Sequence, residues 1–257
     1  MKKIRILLSL ILVSVFIFAG CQNKENESNV SAVDSIKNSG KITMITSADF
    51  PPFEYINADG DIVGSDIDVA NEIAKDLGVK LEIINMDFDL LVDSVKAGKG
   101  DFCAAGMTIT DERKQQVDFS KEYVSSSQYV MVKKDSDVDV NNIKDLTIAV
   151  QEGTVGDIYA TYEIVPKQIL RFKSTVDAGT ALSAGKCDAV ILDKLPAESI
   201  ASNHGDLKVL ETPLTEEMYA IAVAKGKPDL LDAINSTLDR LINEGKIDEC
   251  LAAHLSM

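Results

Sequence analysis

The chain has 257 residues with a formal net charge of −15 at pH 7, and 46% of its residues are hydrophobic. A chain of this length can bury a substantial core and is longer than an average single domain. The excess of acidic groups argues against nucleic acid as a partner, and it also disfavours adsorption to anionic lipid.

Residues 1–20 have the pattern of an export signal. Three cations, Lys2, Lys3 and Arg5, precede an almost unbroken apolar run over residues 6–18. Because this run is shorter than the roughly twenty residues of a spanning helix, a cleaved signal is favoured over an uncleaved anchor helix, which stays the alternative. In both cases the folded part is predicted to lie outside the cytoplasmic membrane.

The apolar run ends in the sequence FAGC, which resembles the lipobox of bacterial lipoproteins. The resemblance implies that Cys21 is lipidated and becomes the first residue of the mature chain. Phe18 stands where the lipobox usually has leucine. The segment that follows is polar and without apolar periodicity, so residues 21–39 are predicted to be a flexible, lipidated tether.

From residue 40 onwards, short apolar runs alternate with amphipathic segments. This rhythm predicts an α/β fold with mixed, mostly parallel sheets and flanking helices. In the first predicted unit, Ser65 and Asp68 form a capping box for a helix that Gly78 ends. The other elements predicted in this unit are strands at 41–47, 79–84 and 102–107 and a helix at 91–97.

A second α/β unit is predicted to begin with a strand at 129–133. Its further elements are strands at 146–151 and 187–193, helices at 156–162 and 178–184, a strand at 218–225 and a helix from Pro228 to Gly245. Two β-like connections, at 123–127 and 217–221, predict that the chain crosses twice between two lobes, as in a hinge that closes on a ligand. Lobe 1 is assigned to residues 40–124 plus 219–257, and lobe 2 to residues 125–218.

The remaining cysteines and both histidines lack the spacing of a metal site. Cys103, Cys187 and Cys250 are interpreted as small buried side chains, with one disulfide and a free thiol as the alternative. His204 and His254 have no ligand set nearby in the sequence, so neither a transition-metal site nor a histidine-based nucleophile is predicted.

Six segments resemble, in order and spacing, the amino-acid-binding branch of the type II periplasmic binding proteins, bacterial extracellular solute-binding protein family 3. They are residues 50–54 (FPPFE), 86–88 (MDF), 104–113 (AAGMTITDER), 152–154 (EGT), 187–193 (CDAVILD) and the ending at 218–251. The resemblance implies a two-lobed fold with a two-strand hinge. It also implies a lipid-anchored, monomeric receptor that passes a free amino acid to the permease of an ABC importer, without enzymatic activity, cofactor or metal.

A zwitterionic ligand needs a cation for its carboxylate. Arg113 offers a planar, permanently charged fork, although by itself it would be interpreted as a solvated helix residue behind an N-cap at Thr110. The backbone N–H groups of Thr154 and Val155, at a turn that opens a helix, are predicted to bind the same carboxylate.

The ligand's ammonium group needs acceptors. Asp193, at the end of a predicted strand, supplies a carboxylate, with the Gly106 carbonyl and the Thr108 hydroxyl beside it. The resemblance implies that Phe50 and Phe88 cover the ligand side chain. Taken alone, both phenylalanines would be interpreted as core residues.

The ligand side chain is predicted to meet Ser47 and Gln151, with Leu192 nearby. Since none of these positions carries a charged residue, the sequence predicts a neutral amino acid. Two alternative functions stay open. A dehydratase or lyase on the same fold would need an acid or base other than Asp193, and a receptor's sensory module would need a signalling partner.

Overall fold

The structure, a computed structural model, describes residues 31–255. The predicted signal sequence and the lipidation site at Cys21 lie outside these residues. Within the described part of the chain, no helix is long and apolar enough to cross a membrane.

Fifteen strands and nine α-helices are defined within residues 31–255. The strands are β1 (Lys41–Thr46), β2 (Asp49–Phe50), β3 (Glu54–Ile56), β4 (Ile62–Val63), β5 (Lys80–Asn85), β6 (Phe102–Cys103), β7 (Val117–Phe119), β8 (Val124–Ser126), β9 (Gln128–Lys133), β10 (Thr147–Gln151), β11 (Gln168–Phe172), β12 (Ala189–Asp193), β13 (Leu207–Val209), β14 (Glu217–Tyr219) and β15 (Ala222–Ala224). The helices are α1 (Ala32–Ser39), α2 (Ser65–Leu77), α3 (Leu91–Lys96), α4 (Asp111–Gln116), α5 (Val155–Tyr159), α6 (Thr175–Ser183), α7 (Lys194–Asn203), α8 (Pro228–Asn243) and α9 (Lys246–His254).

The last part of the predicted flexible tether at residues 21–39 is instead helical, because Ala32–Ser39 form α1. The Ser31 hydroxyl caps the helix and donates to the Asp229 carboxylate over 2.6 Å, and the Val33 N–H donates to the same carboxylate over 2.9 Å. Ile36 is buried against the first lobe. The polar composition hid these contacts because their partner lies nearly 200 residues away in sequence.

The first sheet has the strand order β5-β1-β6-β15-β7. Strand β1 runs parallel to β5 and β6, whereas β15 runs antiparallel to β6 and β7. Helices α2 and α8 bury their apolar faces in the same core as Ile42 and Met44 of β1. The late strand β15 completes this sheet, so the first lobe contains both early and late parts of the chain.

The second sheet has the strand order β11-β10-β12-β9-β13. Strand β10 runs parallel to β11 and β12, and β9 runs antiparallel to β12 and β13. Both sheets are therefore mixed. The parallel pairs β10–β11 and β10–β12 are joined by connections that contain α5 and α6, as parallel strands require.

Strands β8 and β14 pair with each other and with neither large sheet, and they form the hinge. The chain enters the second lobe after β8 and returns through β14. These positions confirm the predicted two-lobed fold with two hinge strands. The strand predicted at 218–225 was wrong as one element, because its first part belongs to the hinge and its last part to the first sheet.

The predicted capping box was also wrong. Ser65 is the first residue of α2, and the N-cap is Gly64, which has a φ of 137° and no side-chain hydrogen bond. A Cβ at Gly64 would lie 2.1 Å from the Phe53 carbonyl oxygen, so glycine is required at this position. The predicted end of this helix is confirmed by the left-handed Gly78.

The three described cysteines are not bonded to one another. Cys103 and Cys187 are buried and Cys250 is half-buried. Burial raises the pKa of the Cys103 thiol well above its usual value and that of Cys187 to about 11. These thiols are therefore protonated at neutral pH, as expected of small packing side chains.

Candidate functional site

Arg113 lies between the two lobes. The Thr110 hydroxyl caps α4 and accepts the Arg113 backbone N–H over 3.2 Å. The guanidinium is buried and donates to the Thr108 carbonyl over 2.6 Å and, in the other lobe, to the Gly153 carbonyl over 3.0 Å. It also lies 5.2 Å from the centre of the Phe88 ring. The solvated-helix interpretation of Arg113 is therefore wrong.

The electrostatic environment of Arg113 suits an anionic ligand. Burial lowers the pKa of its guanidinium, and the nearby carboxylates of Glu217 and Asp193 act against that effect. The hydrogen bonds recorded for its guanidinium go to neutral carbonyl oxygens. A carboxylate that entered the cleft would give this buried cation a charged partner.

The turn before α5 holds its N–H groups in place through internal bonds. The Thr154 hydroxyl caps the helix, and the Gly153 N–H donates to the Asp157 carboxylate over 3.2 Å. The Thr154 N–H reaches the Gln151 carbonyl at 3.4 Å. A ligand carboxylate must compete with these partners, so the role predicted for Thr154 and Val155 stays a prediction.

Asp193 is buried at the end of β12, on the second-lobe side of the hinge. Its carboxylate accepts hydrogen bonds from Ser126 over 2.8 Å, from the Gln128 amide over 2.7 Å and from the Tyr219 hydroxyl over 2.5 Å. Burial and the nearby Glu217 carboxylate raise the pKa of Asp193 to about 7. A cation placed here would stabilise the ionised form.

Glu217 is a second buried acid at this end of the cleft, and sequence reasoning missed it. It begins hinge strand β14 and accepts hydrogen bonds from the Thr108 hydroxyl over 2.6 Å and from the Thr215 hydroxyl over 2.7 Å. The Thr108 hydroxyl thus donates its proton to Glu217, and its oxygen can still accept a hydrogen bond, as the predicted role at the ligand ammonium requires. Its position at the start of the predicted lobe crossing at 217–221 was the sequence signal that could have indicated a site residue.

Gly106 lies against Phe50. A Cβ at this glycine would be 2.6 Å from the Phe50 ring, and its φ of 49° is left-handed. The Gly106 N–H donates to the buried Asp66 carboxylate over 2.9 Å, and the Tyr123 hydroxyl donates to the same carboxylate over 2.7 Å. Phe50 also stacks on Phe53 with ring centres 5.7 Å apart. The loop at Gly106 and the Phe50 ring therefore hold each other in position.

Replacement of Gly106 by alanine is expected to weaken ligand binding about tenfold and to destabilise the fold by about 2 kcal/mol. The added methyl group would collide with the Phe50 ring, and alanine is strained in the left-handed conformation of this residue. The matched control is Gly60→Ala, which has a φ of 87° but open space around it. Calorimetry and denaturant unfolding of both variants measure the difference. Equal effects at the two glycines would contradict the role of the Phe50 contact.

The distal end of the cleft contains an acid that the sequence did not predict. Asp49 accepts hydrogen bonds from the Ser47 hydroxyl over 3.0 Å and from the Gln151 amide over 3.1 Å. Burial raises the pKa of Asp49. Leu192, which was predicted to lie near the ligand side chain, packs in the apolar core of the second lobe. The argument for a neutral ligand therefore loses part of its support.

Residues 31–255 contain no group of three or more histidine, cysteine or acidic side chains arranged to hold a metal ion. The candidate site residues form three sets of contacting side chains. They are the guanidinium set (Phe88, Thr108, Arg113, Gly153), the acid set (Ser126, Gln128, Asp193, Glu217, Tyr219) and the distal set (Ser47, Asp49, Gln151).

The fold and this interlobe cleft define a two-lobed solute-binding protein of type II. Residues 42–257 match the family of bacterial extracellular solute-binding proteins, family 3, and the chain belongs to it. The ABC transporter glutamine-binding protein GlnH of Bacillus subtilis is 31% identical, over 97% of this chain and 96% of that protein. The arginine-binding extracellular protein ArtP of the same organism is 31% identical, over 81% of this chain and 84% of that protein.

Solved structures give the same family. A mutant of ArgBP from T. maritima is 42% identical with a TM-score of 0.83, covering 88% of this chain and 99% of that chain. A substrate-binding protein of an amino acid ABC transporter from Streptococcus pneumoniae, bound to L-arginine, is 35% identical with a TM-score of 0.83, covering 88% and 98%. These relatives are binding proteins, and the dehydratase alternative is not favoured.

Proposed function

We propose that the protein captures a free L-amino acid outside the cytoplasmic membrane and delivers it to the permease of an ABC importer. The observation that carries the proposal is that a buried cation, Arg113, and two buried acids, Asp193 and Glu217, lie close enough to interact electrostatically at the interlobe cleft without forming an ion pair. An α-amino acid presents opposite charges to match these groups. The names of the relatives point to the same class of ligand.

Lobe closure follows from the placement of these groups. Arg113 belongs to the first lobe and Asp193 to the second, so a ligand meets both only when the cleft is shut. A ligand shifts a conformational equilibrium by its difference in affinity for the two states. Micromolar binding corresponds to about −8 kcal/mol, which charge-assisted hydrogen bonds and one covered side chain can supply.

We propose a cationic amino acid, with L-arginine as the first ligand to test. The buried acids Asp193 and Glu217 outnumber the buried cation Arg113 in the guanidinium and acid sets. A ligand with a net positive charge balances them better than a neutral zwitterion does. Solved structures of relatives that are 42% and 35% identical to this chain contain bound arginine.

A neutral amino acid is the second candidate. Ser47 and Gln151 are uncharged, and the Asp49 carboxylate beside them already accepts hydrogen bonds from both. A pocket end of this kind can bind an amide or an apolar side chain. The sequence-based prediction of a neutral ligand therefore stays a prediction.

Thermal-shift measurements with the twenty L-amino acids, followed by calorimetry on those that stabilise, test both candidates. L-arginine is expected to raise the unfolding temperature most. Stabilisation by neutral amino acids alone would favour the second candidate, and stabilisation by none of the twenty would overturn the proposed function.

Ligand affinity is expected to fall as the pH is lowered. The pKa of Asp193 is about 7 without ligand, and an ammonium group requires its ionised form. Each pH unit below this pKa lowers the ionised fraction of Asp193, and with it the ligand affinity, up to tenfold. Binding at pH 5.5 is therefore expected to be roughly thirtyfold weaker than at pH 8. Calorimetry across this range measures it, and a flat profile would contradict the role of Asp193.

The ligand-free protein is expected to show the opposite trend in stability. The folded pKa of Asp193 is above its ordinary value of 3.8, so the folded state binds more protons than the unfolded state between these values. The free energy of unfolding therefore rises as the pH falls from about 7 towards 4. Burial raises the pKa of Asp66 to about 6, which acts in the same direction.

We further propose that a lipid on Cys21 holds a monomeric receptor at the cell membrane. The lipobox resemblance supports the anchor, and the family supports a place outside the cytoplasm. Fractionation of cells that express the Cys21→Ala variant tests the anchor, since the variant should leave the membrane fraction. Retention of that variant in the membrane would contradict it. The sensory-module alternative is not favoured by the relatives.

A further inference from the structure

Asp49 makes a set of contacts across the cleft that does not involve Arg113 or Asp193. It lies in the short strand β2 of the first lobe. Its carboxylate accepts the backbone N–H of Thr175 over 2.8 Å and the Gln151 amide over 3.1 Å, both from the second lobe. In return, the Thr175 hydroxyl donates to the Asp49 carbonyl over 2.5 Å.

These contacts place an anion from one lobe at the start of a helix in the other. Helix α6 begins at Thr175, and its N-cap Ser174 accepts the N–H groups of Val176 and Asp177. The Thr175 N–H is bonded to Asp49 instead. The first turn of α6 is thus capped from both lobes, and a carboxylate at this end is favoured by the helix dipole.

We infer that Asp49 is a positioning residue for lobe closure, which together with Gln151 and Thr175 forms a latch that stabilises the shut cleft. We call these three residues the Asp49 latch. The inference rests on the proposed capture of a ligand by closure. It adds a contribution that comes from the protein itself and is independent of the ligand's carboxylate and ammonium groups.

The position of Asp49 distinguishes a latch from a ligand-binding acid. Ser47, Gln151 and the Thr175 N–H together supply donors to both of its carboxylate oxygens. Asp49 also lines, with Val176 and Asn203, an open groove of about 430 Å³ between the lobes. The carboxylate therefore lies at an edge of the interlobe contact, with its acceptor sites already occupied.

A latch of this kind acts on every ligand equally. The apparent dissociation constant is the intrinsic constant divided by the fraction of binding-competent protein, so a change in the closing equilibrium multiplies all affinities by one factor. A direct contact with the ligand side chain would instead affect cationic ligands more than neutral ones.

The test is calorimetry and stopped-flow dissociation with L-arginine, L-glutamine and L-histidine on the full mature chain and its variants. Asp49→Asn is expected to weaken every amino acid that binds by the same factor, about tenfold, mostly through faster dissociation. Thr175→Val removes the reciprocal bond from the other lobe and is expected to weaken binding about threefold. Asp87→Asn is the matched control, because this half-exposed aspartate approaches the second lobe only at 4.0 Å from Lys173, and its affinities should stay within about twofold.

Weakening confined to L-arginine, or weakening by Asp49→Asn with Thr175→Val unchanged, would overturn the latch and assign Asp49 to ligand contact. Hydrogen–deuterium exchange at the Thr175 amide of ligand-free protein gives a readout that needs no ligand, and exchange should be faster in Asp49→Asn. Equal exchange in the two proteins would contradict the latch. Failure of the wild-type protein to bind any amino acid would instead overturn the proposed function.

Discussion

Replacement of Arg113 by methionine is expected to reduce affinity for L-arginine, or for whichever amino acid binds, by about 200-fold to 5,000-fold. A buried charged hydrogen-bonding partner is worth about 3–5 kcal/mol when the opposite charge is left in place, and the ligand carboxylate would be left without its cation. Methionine keeps much of the side-chain volume, so the loss reports the charge and its hydrogen bonds. Calorimetry measures the change.

A matched control for Arg113 lies on the surface of the first lobe. Arg240 forms ion pairs with Glu72, Asp76 and Glu244, and none of these acids belongs to the candidate site. Arg240→Met is expected to leave affinity within about twofold and to lower stability by at most about 1 kcal/mol. A loss of less than tenfold in Arg113→Met, in a variant that melts like the wild-type protein, would contradict the role assigned to Arg113.

Replacement of Asp193 by asparagine is expected to weaken binding about a hundredfold without destabilising the ligand-free protein. Asparagine keeps the shape and can still accept from the Tyr219 hydroxyl, but it removes the charge that faces the ligand ammonium. Because the pKa of Asp193 is raised to about 7 by burial and by Glu217, ionisation of this group opposes folding at neutral pH. The unfolding temperature without ligand is therefore expected to hold or to rise.

The control for Asp193 is Asp188→Asn. This aspartate precedes the same strand, and its exposed carboxylate accepts the Thr147 N–H over 2.8 Å. Its replacement should lower stability slightly and leave affinity unchanged. If Asp193→Asn instead binds as tightly as the wild-type protein at pH 8, the ammonium site must lie elsewhere. The variant should also lose the pH dependence of binding expected for the wild-type protein.

The fold was predictable where the signal is local. Short apolar runs located the β1 and β10 strands, and Gly78 marked the end of α2 through its left-handed conformation. The failures came from contacts between distant segments. Helix α1 is ordered by Asp229, and Gly64 is required by the Phe53 carbonyl, and neither partner can be found from local composition.

The candidate site was predictable only in part for the same reason. Taken alone, Arg113 would have been interpreted as a solvated helix residue, and only the family resemblance places it in a cleft. Asp49 and Glu217 were not predicted as site residues, although Ser47 and Phe50, on either side of Asp49, were. Their importance comes from partners more than 100 residues away, Thr175 for Asp49 and Thr108 for Glu217. Spacing within a strand or helix carries no information on such pairs.

The most direct test of the account compares L-arginine with two analogues by calorimetry on the wild-type protein. Agmatine lacks the α-carboxylate, and 5-guanidinopentanoic acid lacks the α-amino group. If Arg113 and Asp193 together bind one zwitterion, L-arginine should bind with micromolar or tighter affinity and each analogue at least about a hundredfold more weakly. Equal affinity for L-arginine and either analogue would contradict the account.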